Sequence, residues 1–148
     1  MLKKVMRNIA LILVIMICVS STTFAAKTDT EAGTRASLYL DSYNAYIYAA
    51  GGGNLEIWFD VIATGNMDEV GALTIILQAS KDGNSWSRVK TFQYSDYDSM
   101  LEYDDFEHCS YVEYKGISGQ HYRAYVTIWA GRNGDGDSRQ IITGTVKA

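Results

Sequence analysis

Seven residues, Leu55-Glu56-Ile57-Trp58-Phe59-Asp60-Val61, constrain the fold more than any other stretch of this chain. Successive side chains of a strand point to opposite faces. Leu55, Ile57, Phe59 and Val61 therefore define a core face, and Glu56, Trp58 and Asp60 a wetter one. Around this segment the sequence reads as strand after strand, rich in tyrosine, isoleucine, valine and threonine, with turn residues at short intervals and no proline anywhere.

The remaining strands follow from the same reading. Ser37 to Ala49 is a tyrosine-rich strand ended by Gly51-Gly52-Gly53-Asn54, and its pattern shifts phase near Asp41-Ser42, as a bulge would cause. Ala72 to Ala79 and Trp86 to Tyr94 flank Ser80-Lys81-Asp82-Gly83-Asn84-Ser85, whose Asp-Gly pair signals a hairpin. An acidic connection runs from Ser95 to Glu107. Strands at 108–115, 121–130 and 139–147 follow, separated by Gly116-Ile117-Ser118-Gly119 and by the segment from Gly131 to Asp137. Seven short strands with no helix-period segment predict an all-β domain over residues 37–148. The expected form is a seven-stranded antiparallel β-sandwich of immunoglobulin or fibronectin type III kind, with a small barrel as the alternative. Tyr122 stands where such domains place a tyrosine that bonds backbone at a corner, and Ala124 where an immunoglobulin domain would carry its second cysteine.

The N-terminus carries different information. Lys3, Lys4 and Arg7 precede an unbroken apolar run from Ile9 to Val19, which relaxes into Ser20-Ser21-Thr22-Thr23-Phe24-Ala25. This is the pattern of a secretory signal peptide, and the run is shorter than the roughly 20 residues a membrane-spanning helix needs. Small residues at Thr23 and Ala25 predict cleavage after Ala25, leaving a flexible segment 26–36 ahead of the domain. Cys18 leaves with the leader, since Ile17 and Met16 occupy places where a lipoprotein signal needs small residues. The expected product is a secreted, extracellular protein with no stable membrane anchor.

The whole chain has a formal charge of −4, and loss of Lys3, Lys4 and Arg7 makes the remainder more acidic. Without a Lys/Arg cluster it is a poor partner for nucleic acid or anionic membrane. Cys109 is the cysteine that remains, so no intramolecular disulfide is expected, and a half-buried strand thiol is its predicted state. Neighbouring His108 points to the other face of a strand, which argues against a thiol–imidazole pair.

Candidate chemistry is sparse. Asn133-Gly134-Asp135-Gly136-Asp137 alternates oxygen-bearing side chains as a calcium loop does, but Ser138, Arg139 and Gln140 follow where a further carboxylate is wanted. A glycine-rich turn is the expected form. The carboxylates Asp96, Asp98, Glu102, Asp104, Asp105 and Glu107 read as solvated charges rather than a glycosidase pair. No Gly-x-Ser-x-Gly elbow and no zinc spacing occur, and no cofactor is expected. What remains is aromatic. If Tyr122, Ala124, Val126 and Ile128 face the core, then Arg123, Tyr125, Thr127 and Trp129 share the opposite face with Thr74, Ile76 and Gln78 of a neighbouring strand, either as cross-strand pairs that only stabilise the sheet or as an exposed platform for binding. Trp58 offers the same on the other sheet. Trp86 is expected in the core.

The stretches Thr34-Arg35-Ala36-Ser37, Ile57-Trp58-Phe59-Asp60-Val61, Met67-Asp68-Glu69-Val70-Gly71-Ala72-Leu73 and Tyr122-Arg123-Ala124-Tyr125-Val126-Thr127-Ile128-Trp129-Ala130-Gly131 resemble those of a family of small secreted proteins from Gram-positive bacteria, a domain of unknown function. The resemblance spans nearly the whole exported chain. It implies export and an all-β fold in a bacterial protein, and carries over no catalytic or binding residue. The functional expectation is a secreted, non-catalytic β-sandwich module, not an enzyme, holding an extracellular glycan or protein. A small secreted effector or toxin-like protein acting on other cells is the second reading.

Overall fold

A computed structural model describes residues 37–148; the predicted leader and the segment 26–36 lie outside the described residues. Seven antiparallel strands, β1 (Leu40–Gly51), β2 (Asn54–Ser80), β3 (Ser87–Gln93), β4 (Leu101–Lys115), β5 (His121–Arg132), β6 (Asp135–Ile142) and β7 (Val146–Lys147), form one hydrogen-bonded sheet. The all-β, antiparallel expectation is met. The sheet curls into a half-barrel around one apolar cluster.

The curl originates in β2, a strand of 27 residues. Its first half pairs with β1 on one side and with the second half of β4 on the other. Its second half pairs with β5 and β3. Between them the register against β4 slips from Ile62↔Glu107 to Met67↔Asp105. Extra residues on one strand of a pair bend it and increase its twist, so β2 turns and carries its apolar side round the core. The sequence reading divided this strand into 55–61 and 72–79; the structure joins them, because Ile62 and Ala63 pair with β1, and Met67 and Glu69 to Gly71 with β4 or β5, on either side of the turn-like Thr64-Gly65-Asn66. A second correction concerns the acidic connection. Only Tyr94 to Met100 connects β3 to β4, with one 3₁₀ turn at Asp98–Met100, and Leu101 to Glu107 is the first half of β4.

Leu55, Ile57, Phe59 and Val61 are buried as the alternation requires, in one cluster with Ile75, Leu77, Phe92, Val112, Tyr122, Val126 and Ile128. Gly71 passes directly beneath the Met100 carbonyl at φ +146, a close approach that leaves no room for a Cβ. The β2–β3 hairpin forms as predicted. Asp82 accepts hydrogen bonds from the Asn84 and Ser85 backbone N–H groups and the Ser80 hydroxyl, each at 2.9 Å. The bulge predicted near Asp41 is also present, since Leu40 pairs with Ala63 and Ser42 with Ile62. β5 and β6 are joined by Asn133 and Gly134 alone, both at positive φ, so the predicted loop from Gly131 to Asp137 shrinks to a two-residue turn.

Tyr122 makes the predicted corner. Its hydroxyl accepts a 2.8 Å hydrogen bond from the Ile117 N–H, and its ring lies against Gly116.

Candidate functional site

The curled sheet has two outer surfaces that carry exposed aromatic or charged side chains. The first covers β1, the start of β2 and the end of β4. Register sets Tyr46, Trp58 and Tyr111 side by side across three strands, with Tyr48 two residues along β1. Tyr46, Tyr48 and Tyr111 are 43, 53 and 41% exposed, and Trp58 is half-buried. The Trp58 and Tyr111 rings stack at 4.4 Å and 21°, and the Trp58 indole N–H donates to Glu56 at 2.9 Å. Those two contacts hold the indole in one orientation. Tyr46 and Tyr48 stack on each other at 6.3 Å. Around the rings stand Glu56 opposite Glu113, Asp60 opposite Cys109, and Ile62 opposite Glu107. Partial burial, and then the negative charge of Asp60, raise the Tyr46 hydroxyl above its ordinary pKa.

The second surface covers β3, the end of β2, β5 and β6. The predicted neighbours are correct: Thr74 pairs with Thr127, Ile76 with Tyr125 and Gln78 with Arg123. Their chemistry differs from the expected platform around Trp129. The Trp129 indole lies over Gly131 and Gly136, whose hydrogens leave space that a Cβ would fill at 2.5 and 2.6 Å. Its N–H donates to Glu69 at 3.2 Å. Trp129 is thus half-buried and fastened to its own sheet. Arg123 donates from Nε to Gln78 at 2.9 Å, with its guanidinium 4.2 Å from the Trp86 ring and 5.6 Å from that of Tyr125. Trp86, expected in the core, is half-buried on this outer surface. The register shift in β3 leaves Val89 unpaired, and Ser87 rather than Trp86 faces the buried Ala79.

The four residues singled out from sequence therefore divide. Trp58 belongs to the first surface, while Arg123, Tyr125 and Trp129 belong to the second and Trp129 is structurally engaged. Tyr46, Tyr48 and Tyr111 were missed, although Tyr46 and Tyr48 alternate visibly in β1. Their assembly with Trp58 depends on cross-strand register, which no local pattern reports.

Other expectations resolve more simply. Cys109 is exposed, not half-buried, because it sits on the outer side of β4 opposite Asp60. His108 faces the other way, with its ring 5.6 Å from Phe59 and Nε2 2.8 Å from the Ser99 carbonyl oxygen. Asp137 and Asp135 hold the start of the domain: the Ser37 hydroxyl and Leu38 N–H donate to Asp137 at 2.6 and 3.0 Å, and the Tyr39 hydroxyl donates to Asp135 at 3.2 Å. The Ser37 hydroxyl chiefly, then the nearby backbone N–H groups and Arg139, keep the Asp137 carboxyl below its ordinary pKa. Among the described residues no group of three or more His, Cys, Asp or Glu side chains is placed to hold a metal ion. Comparison with models of protein families, with curated proteins and with solved structures finds no match to this chain.

Proposed function

We propose that the chain is exported, cleaved after Ala25, and acts outside the cell as a non-catalytic module that holds a glycan on the outer surface of β1, β2 and β4. The exposed row Tyr46–Trp58–Tyr111, with Tyr48 beside it, carries this reading. A sugar ring has apolar C–H faces and a rim of hydroxyls. Aromatic rings suit the first, and the carboxylates of Glu56, Asp60 and Glu113 accept hydrogen bonds from the second. Tyrosine and tryptophan give large contact area at small conformational cost, and the stacked, Glu56-tethered Trp58 is already ordered, which lowers the entropy lost on binding. The acidic rim favours neutral or cationic sugars.

The leader and the resemblance to small secreted Gram-positive proteins support export. The fold we propose is an immunoglobulin-like sandwich in which β2 crosses between layers. Two features support it: the Tyr122 corner, and the pairing of β5 with the second half of β2.

The test is retention on a panel of insoluble and immobilised neutral polysaccharides, comparing wild type with Trp58→Ala and Tyr111→Ala. Retention on at least one polymer that both substitutions abolish, in variants that keep their far-UV spectrum, is the expected result. Retention unchanged by either substitution removes this surface from the account. No retention on any polymer favours the effector reading.

A further inference from the structure

We infer a second, separate ligand surface: the outer side of β3, β2, β5 and β6 binds an acidic polysaccharide through the uronate carboxylates, with Arg88 and Arg123 as the receiving groups. Gln78 pairs with Arg88 on one side and Arg123 on the other. Directly paired residues project to the same side of a sheet, so the two guanidinium groups flank one glutamine, with backbones about 10 Å apart at the usual strand spacing. Arg123 spends its Nε on Gln78 and lies against the Trp86 ring. This orients its remaining N–H fork, whose terminal amino groups have no hydrogen-bond acceptor among the described residues. Among the described residues neither arginine has a carboxylate within ion-pair distance. Two unpaired arginines side by side are conspicuous in a chain of charge −4.

The rest of the surface identifies the occupant. Four residues further along the strands, Gln93, Thr74, Thr127 and Gln140 form a row across four strands, all neutral and all able to donate and accept hydrogen bonds. Between the two rows lie Thr91, Ile76, Tyr125 and Ile142, which include one aromatic ring. An arginine pair, a hydroxyl- and amide-bearing row and a ring between them match a polymer that carries carboxylates, hydroxyls and apolar ring faces together. Arginine receives a carboxylate through two parallel N–H donors, and none of the residues in these three rows is acidic. An acidic peptide supplies carboxylates but no sugar-like apolar ring face, and binding to poly-glutamate separates the two.

Binding of the purified protein to polygalacturonate at low salt tests the inference, with the fully methyl-esterified polymer and poly-glutamate as parallel arms. In Trp58→Ala protein, which lacks the proposed neutral-glycan surface, retention is expected on polygalacturonate and on neither of the others. Arg88→Ala, Arg123→Ala and Arg123→Lys should each weaken it by about tenfold or more, the loss expected for a charge-assisted hydrogen bond; lysine fails because it has neither the planar fork nor the stacking surface. Arg88 is exposed and its side chain has no hydrogen-bond or ion-pair partner among the described residues, so Arg88→Ala remains a valid test should Arg123→Ala not fold. Equal binding of the esterified polymer, equal binding of poly-glutamate, or full binding by Arg88→Ala overturns the inference. The glycan surface on β1, β2 and β4 shares no residue with this one, so either can fail alone.

Discussion

Tyr122 and Ile117 are joined by a 2.8 Å hydrogen bond from the Ile117 N–H to the phenolic oxygen, which closes the turn between β4 and β5. The ring of Tyr122 is almost fully buried, so the bond ties the turn to the core and not to another part of the surface. Tyr122→Phe keeps the packing and removes the acceptor. It should cost about 1–2 kcal/mol, the usual range for leaving one partly buried amide unpaired. Urea unfolding that shows a lower midpoint at unchanged slope would agree; an unchanged midpoint would show that the turn is held by its other contacts, including the Gln120 N–H bond to Ile117.

Gly71 predicts a larger effect. A methyl group there meets the Met100 carbonyl, the Leu101 Cα and the His108 ring, and the backbone at φ +146 disfavours any side chain. Gly71→Ala should destabilise by at least about 3 kcal/mol, as overpacking combined with backbone strain does. Thermal unfolding compared with Gly83→Ala separates the two causes, since Gly83 has positive φ but open space around it. Equal losses in the two variants would mean that backbone conformation, and not the crossing of β2 under Met100, is responsible.

Acid should weaken the fold through Asp82 and Asp137. Both carboxyls are held below their ordinary value of 3.8, Asp82 by the backbone N–H groups of Ser85 and Asn84 with the Ser80 hydroxyl, and Asp137 chiefly by the Ser37 hydroxyl. A depressed folded pKa stabilises the fold above the unfolded value and loses that contribution as pH falls through the folded value. Stability should therefore be flat in this respect above about pH 5 and decline below about pH 4. Asp82→Asn should show a shallower decline over the same window in chemical denaturation at stepped pH. An identical slope in the variant would remove Asp82 from the account.

The sequence was most legible where one strand reports its own environment. The 55–61 alternation located the buried face, Asp82-Gly83 located a hairpin, and the phase break at Asp41 located a bulge. Some long-range order was legible too, since placing Thr74, Ile76 and Gln78 beside Thr127, Tyr125 and Arg123 required only a common topology. Less visible was anything that depends on irregular register. β2 continues past Thr64-Gly65-Asn66 because Met67 and Glu69 to Gly71 pair with β4 or β5 beyond it, and Glu102, Asp104 and Glu107 sit in a strand with their side chains in solvent. Trp86 changes sides because β3 slips by one residue at Val89, and a one-residue slip exchanges the two faces of a strand. Trp129 reads as an exposed ring until Gly136, from the following strand, supplies half of its seat. The row Tyr46–Trp58–Tyr111 draws on three strands, so it exists only in the folded sheet.

On the proposed function this row, and not Trp129, receives the ligand. Isothermal titration of a soluble fragment of the polysaccharide retained by wild type, against Tyr46→Ala and Trp129→Phe, tests it most directly. Tyr46→Ala should raise Kd by about tenfold or more, as loss of an interface aromatic commonly does, while Trp129→Phe, on the other surface, should leave Kd within about twofold. An unchanged Kd for Tyr46→Ala together with a large loss for Trp129→Phe would contradict the account.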